Sequence, residues 1–284
     1  MLRRTACFLW NRVEITRPHN LAVAALTILV GWTAAGGGRP DAALFLAVCA
    51  GVLVAAAGNV INDYFDADID RINKPRRPIP SGRMTRRESR RYYWALGAVA
   101  AACAAASGPR ALVFVALWTA CLYAYSAHLK RRFLLGNLAV AAVSSSGFAL
   151  GAWLAGRATA GVAPMLLAFL LIMGREIVKD VEDLPGDRAC GAHTLARCLG
   201  ERRALVVAVA FFGLLSALAP WPYELRIYGR AYLLVYAFGV LPLLGLASLL
   251  MFRDTSPGNL LRVNWILKLG MFVGVLGLYL GQGH

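Results

Sequence analysis

The acidic residues of this chain fall into two short windows. Of 15 Asp and Glu in 284 residues, four lie between 63 and 70 (Asp63, Asp66, Asp68, Asp70) and five between 176 and 187 (Glu176, Asp180, Glu182, Asp183, Asp187). The spacing repeats. Asn59, Asp63, Asp66 and Asp70 stand at offsets 0, 4, 7 and 11, and so do Glu176, Asp180, Asp183 and Asp187. At about 100° per helical residue such positions fall within roughly 60° of one another, so each set predicts one polar stripe on a helix. Asp68 and Glu182 point away from their stripes. Pro185-Gly186 predicts an end to the second helix before Asp187, which then belongs to a loop. Carboxylates this close repel one another and stay ionised together only with a cation among them. Oxygen-only ligands suit Mg²⁺, which commonly pairs carboxylates with substrate phosphates. Two facing acidic helices therefore predict Mg²⁺ ions gripping one diphosphate between them, and the matching offsets predict duplication of a four-helix unit.

Basic side chains border both windows. "NKPRRPIPSGR" supplies Lys74, Arg76, Arg77 and Arg83; "YSAHLKRR" supplies Tyr125, His128, Lys130, Arg131 and Arg132; "GREIVKD" supplies Arg175 and Lys179. Positive groups beside a metal site bind and neutralise a departing diphosphate, arginine in bidentate fashion. Arg77, Lys130 and Lys179 are read as its ligands. Arg86, Arg87, Arg90, Arg91, Arg131 and Arg132 are read as anchors at the membrane edge.

The elements that must hold these residues are membrane-spanning helices. The chain is 59% hydrophobic, with 16% charged residues and a mean hydropathy of +0.58, too apolar for an ordinary soluble domain. A span needs about 20 mostly apolar residues. Nine stretches qualify: 20–37, 42–62, 92–107, 109–126, 135–155, 162–180, 204–220, 231–252 and 265–282, the third and fourth split by a tight turn at Ser107-Gly108-Pro109. The expected fold is all-α, one transmembrane domain over residues 1–284. The first stretch lacks a small-residue cleavage site and reads as a retained span.

With nine spans, 25 of the 30 Lys and Arg fall on one side and only Arg39, Arg110, Arg157, Arg226 and Arg230 on the other. That asymmetry places the N-terminus and both acidic windows in the cytoplasm and accounts for the net charge of +15 without nucleic acid. The six cysteines show no paired spacing, and Cys190, His193 and Cys198 lack a CxxC pair and a fourth ligand for zinc. They are expected as buried small apolar residues. A proton or cation pathway would also use intramembrane carboxylates. Here, however, the acids cluster at one membrane edge and the midplane of most spans carries no charge.

"NDYFDADID" (Asn62 to Asp70) resembles the first NDxxDxxxD motif of the UbiA-superfamily intramembrane prenyltransferases, and "KDVEDLPGD" (Lys179 to Asp187) resembles their second motif. That resemblance implies a nine-helix bundle in which Asn62, Asp66, Asp70, Asp183 and Asp187 hold Mg²⁺ and diphosphate, with Asn59, Asp63 and Asp180 on the same faces. Asp66, Asp70, Asp183, Asp187 and Lys179 are the expected catalytic set. Tyr125 and Lys130 are similar to the family's tyrosine–lysine pair, here spaced YxxxxK. The stretches "RPHN", "DRINKPRRPIPSGR", "YSAHLKRRFLLGN" and "REIVKDVEDLPGD" look most like the digeranylgeranylglyceryl phosphate synthase branch. The resemblance thus implies Mg²⁺-dependent transfer of a geranylgeranyl group from its diphosphate to geranylgeranylglyceryl phosphate, in the plasma membrane, for ether-lipid synthesis. An aromatic or quinone-precursor acceptor, or cyclisation without an acceptor, uses the same ionisation.

Overall fold

The computed structural model describes residues 2–283, and every regular element among them is helical. Helix α1 (Leu2–Thr16) gives way to α2 (Pro18–Ala34) at Arg17, whose φ of +55° is left-handed. A residue before proline is disfavoured in the right-handed helical region, and Pro18 loses no hydrogen bond at a helix start. Helix α3 (Ala42–Asn73) is capped by the Asp41 carboxylate, which accepts from the Leu44 N–H at 2.8 Å. Its 32 residues extend about 48 Å at 1.5 Å each, well beyond a hydrocarbon layer of about 30 Å. The first acidic window is the part that outruns the apolar layer while remaining helical.

Helix α4 (Arg86–Ser107) opens with a reciprocal cap: the Thr85 hydroxyl accepts from the Glu88 N–H, and the Glu88 carboxylate accepts from the Thr85 N–H at 2.8 Å. Those bonds, first from the Thr85 backbone and then from its hydroxyl, hold Glu88 below the usual carboxylate range. A depressed folded-state pKa contributes stability above the unfolded value, and that stability is lost as pH falls through the folded one. Thr85→Ala is expected to cost about 1 kcal/mol, read as a lowered melting temperature whose deficit shrinks in acid.

Gly108, at φ +132°, and Pro109 make the expected break before α5 (Pro109–Ala124), which runs into a π-helical turn over Tyr125–Leu129. Helices α6 (Leu135–Ser145) and α7 (Gly147–Leu154) bend at Ser146, and α8 (Val162–Glu182) carries the second acidic window. It stops at Glu182, two residues before the end that Pro185-Gly186 suggests, with Asp183 as its C-cap at φ −87° and ψ 0°. Asp187 therefore lies in the short α9 (Leu184–Ala189), not in a loop, because a proline is tolerated in a helix's first turn. The rest are α10 (Leu195–Leu199), α11 (Glu201–Leu218), α12 (Trp221–Glu224), α13 (Arg230–Val235), α14 (Leu241–Arg253) and α15 (Pro257–Leu280).

Seven helical segments are long and apolar enough to cross a membrane: Ala42–Asn73, Pro109–Leu129, Leu135–Leu154, Ala158–Glu182, Glu201–Glu224, Arg230–Arg253 and Pro257–Leu280. Two of the nine expected spans fall outside this set. Pro18–Ala34 has 17 residues, and Arg86–Ser107 opens on a run of charge.

Two compact units divide the chain. The first comprises the chain up to Ala25, Arg39–Lys130 and Pro185–Gly191. Its core gathers Ile15, Val60, Ile61, Ile79, Met84 and Tyr93, so the far end of α3, the 74–85 loop and the start of α4 are packed together. The second comprises Leu26–Gly38, Arg131–Leu184 and the chain from Ala192. Ile177, Leu205, Met251 and Leu260 centre its core. There α2 meets α7 backbone to backbone: a Cβ on Gly151 would stand 1.9 Å from the Ile28 carbonyl oxygen. Small residues permit such approaches between membrane helices.

The cysteines depart from expectation. Cys121 and Cys198 are exposed, and Cys49, Cys103 and Cys190 are half-buried. On a span, an outward thiol meets lipid, which suits a small hydrophobe as well as a core does. The side chain of Cys7 lies outside the described residues.

Candidate active site

In the first unit, one face of α3 buries three carboxylates. Asp63, Asp66 and Asp70 are 2%, 3% and 4% exposed, Asn62 is buried beside them and Asn59 half-buried. The Asp68 side chain, off the stripe, is 54% exposed and pairs with Arg71 at 3.0 Å and Arg86 at 2.7 Å. A buried carboxylate without a partner costs several kcal/mol, and each of the three has one. The Arg77 guanidinium reaches Asp70 at 2.6 Å and Asp63 at 3.3 Å, spanning two turns of the helix. Asp66 accepts from the Lys130 ammonium and, at 2.8 Å, from the Asn62 amide, whose oxygen accepts from Lys130 at 3.2 Å.

Local structure puts these cations in place. Arg77 leaves a turn closed by its own N–H on the Lys74 carbonyl at 3.0 Å. Lys130 follows the π-turn, its N–H donating to the Tyr125 carbonyl at 2.9 Å. That wide turn spans the YxxxxK spacing, and Tyr125 is buried at its start. Lys74 caps α3 with its N–H on the Asp70 carbonyl at 2.8 Å, and Arg76 is exposed, its carbonyl accepting from Arg83 at 2.5 Å. Asp187, 6% exposed, lies in the Pro185–Gly191 segment of the same unit.

In the second unit, Glu176 is clasped by Arg175 and Lys179, both at 2.7 Å. Asp180 accepts from Asn137 of α6 at 2.9 Å, and Glu182 from Asn264 of α15 at 2.6 Å. Asp183 ends the helix. Thus Asn59, Asp63, Asp70 and Arg77 belong to one network on α3, and Asn62, Asp66 and Lys130 to a second on the same helix. Lys179 pairs with Glu176, and Asp180 with Asn137.

Arg17 belongs to the first network and was given no role by sequence. Its guanidinium pairs with Asp63 and reaches the Asn59 oxygen at 3.5 Å, while the Asn59 amide donates to the Thr16 carbonyl at 2.8 Å. Its one local signal is the Arg-Pro step, where a left-handed residue turns the chain. Asn137 and Asn264, amide partners of the second window, have no comparable signal. No group of three or more His, Cys, Asp or Glu among the described residues is close enough to share one ion. Arg17, Arg77, Lys130 and Asn62 partner the acids of α3 instead.

Residues 24–273 match the UbiA prenyltransferase family. A digeranylgeranylglyceryl phosphate synthase of Methanopyrus kandleri is 41% identical over 93% of this chain and 96% of its own. A solved digeranylgeranylglyceryl phosphate synthase structure has a TM-score of 0.73 and 30% identity, covering 96% of this chain and 98% of that one. A UbiA homolog from Archaeoglobus fulgidus bound to GPP and Mg²⁺ has the same fold, with a TM-score of 0.67 at 19% identity over 94% of this chain and 99% of that one.

Proposed function

The chain belongs to the UbiA prenyltransferase family, and from that premise we propose that it transfers a geranylgeranyl group from its diphosphate to geranylgeranylglyceryl phosphate in ether-lipid synthesis. The observation that carries the reaction type is the buried face of Asp63, Asp66 and Asp70 with Arg17, Arg77 and Lys130 on it. The acceptor rests on the identity with relatives such as the Methanopyrus kandleri enzyme.

The donor set has the chemistry that Mg²⁺ takes: oxygen atoms, most of them on buried side chains. Asn59, Asn62, Asp63, Asp66, Asp70, Asp180, Asp183 and Asp187 are its proposed ligands. When bound, the ion would supply positive charge against the diphosphate. Arg77, Tyr125, Lys130 and Lys179 bind the diphosphate and stabilise charge growing on it. Its C1–O bond breaks with the electron pair leaving on oxygen. The acceptor hydroxyl then bonds to C1 of the allylic cation and releases its proton. Water competes for that cation, so a dry surrounding of apolar helices belongs to the chemistry. Lys74 and Arg76 bind the acceptor phosphate.

The domain is read as one unit of function over residues 1–284, with nine crossings. Pro18–Ala34, about 26 Å long, and the uncharged part of Arg86–Ser107 complete the seven longer spans. The basic asymmetry places the N-terminus and both acidic windows on the cytoplasmic side of the plasma membrane, and the matched offsets are read as a duplicated four-helix unit. Purified protein given geranylgeranyl diphosphate, Mg²⁺ and alternative acceptors is expected to release diphosphate with geranylgeranylglyceryl phosphate. A prenylated phenol or a hydrocarbon product would reassign the acceptor, and no Mg²⁺-dependent turnover of any prenyl diphosphate would remove the enzyme.

A further inference from the structure

Residues Pro185–Gly191 leave the unit that holds α8 and join the one that holds α3. A hydrogen bond to the end of α3 helps to fasten them. The Gly186 N–H donates to the side-chain oxygen of Asn73 at 2.9 Å. The approach admits no side chain at 186, where a Cβ would stand 2.5 Å from the Asn73 amide nitrogen and 2.8 Å from its Cγ. Asn73 is the last residue of α3, three beyond Asp70, and the next residue's N–H is bonded back to the Asp70 carbonyl at 2.8 Å. The clasp thus stands on the same rigid helix end as Asp66 and Asp70. Asp187, buried, is the residue immediately after Gly186, so only a few backbone and side-chain torsions separate its carboxylate from the anchored N–H.

We propose that Asn73 is a positioning residue: through Gly186 it fixes the Asp187 carboxylate relative to the acids of α3, and so sets how tightly Mg²⁺ is held with diphosphate. This rests on the reading above that Asp187 serves the diphosphate site. Groups that orient a metal's ligands typically change metal affinity 10- to 100-fold when removed. A side chain that only stabilised the fold would lower the melting temperature and leave the Mg²⁺ dependence alone.

The test titrates Mg²⁺ into the detergent-solubilised full-length chain at saturating inorganic diphosphate, followed by calorimetry, with thermal unfolding recorded in parallel. Asn73→Ala is expected to raise the half-saturating Mg²⁺ concentration by about 10-fold, with a melting temperature within about 4 °C of the parent. Gly186→Ala alters no polar group and is expected to act in the same direction, because its methyl displaces Asn73. In the Asn73→Ala background it should add nothing, the obstruction and the clasp both being gone. Independent effects would instead multiply, to about 100-fold, and would overturn the proposal. So would wild-type Mg²⁺ dependence in Asn73→Ala or, should that variant not accumulate, in Gly186→Ala. If the wild-type chain turns over geranylgeranyl diphosphate while these variants bind Mg²⁺ normally, only the clasp fails. A wild-type chain without turnover takes the reading of the site with it.

Discussion

Asp66→Ala is expected to lower kcat/KM for prenyl transfer by about 10³-fold or more, while Asp68→Ala leaves it within about 3-fold. The two residues are one turn apart at most and chemically identical, so the contrast isolates geometry. Asp66 is 3% exposed and accepts from Asn62 and Lys130. Removing one preorganised group that faces developing charge commonly costs about 10²- to 10³-fold. Here the loss also removes one of the partners that hold Lys130 in position. Asp68 faces outward and pairs only with Arg71 and Arg86 among the ion pairs described, and exposed pairs contribute about 0–1 kcal/mol. Asp66→Asn keeps the shape and one oxygen, and is expected to remain impaired. Steady-state kinetics on the four proteins decides the matter: a larger loss at Asp68 than at Asp66 would contradict the helical-face assignment.

What the sequence made legible follows from periodicity. The offsets 0, 4, 7 and 11 need only a regular helix to become a face, and α3 stays regular from Ala42 to Asn73, so Asp63, Asp66 and Asp70 share a buried side and Asp68 does not. The second set shares the same offsets, but α8 ends at Glu182 and the stripe breaks there. Periodicity assumes a continuous helix; it cannot register a cap that forms early. The π-turn at Tyr125–Leu129 escaped for a related reason, since one extra residue per turn leaves no compositional mark. Partners distant in sequence were the least legible. Arg17 reaches Asp63 across 46 positions, and Asn73 meets Gly186 across 113. Both depend on where a helix ends, and side-chain type alone does not carry that information.

Replacing Lys130 separates its pairing with Asp66 from the role proposed for its ammonium at the diphosphate. In Lys130→Met, the Asp66 carboxylate keeps the Asn62 amide but loses its charge partner. Breaking one side of a buried pair destabilises by about 3–5 kcal/mol; Lys130 is 26% exposed, which favours the lower end. Turnover should fall by about 10²- to 10³-fold, because the same ammonium is proposed to meet the charge that grows on the departing diphosphate. The double variant Lys130→Met/Asp66→Asn removes both charges, and neutral replacements of a buried pair are often close to neutral for stability. Its melting temperature should therefore return toward the parent's while its turnover stays lost. Thermal unfolding and initial rates on the two single variants and the double variant form a complete cycle. A double variant no slower than Asp66→Asn would mean that Lys130 does no more than neutralise Asp66. A double variant slower than Asp66→Asn by about the factor that Lys130→Met costs the parent assigns the ammonium to the diphosphate.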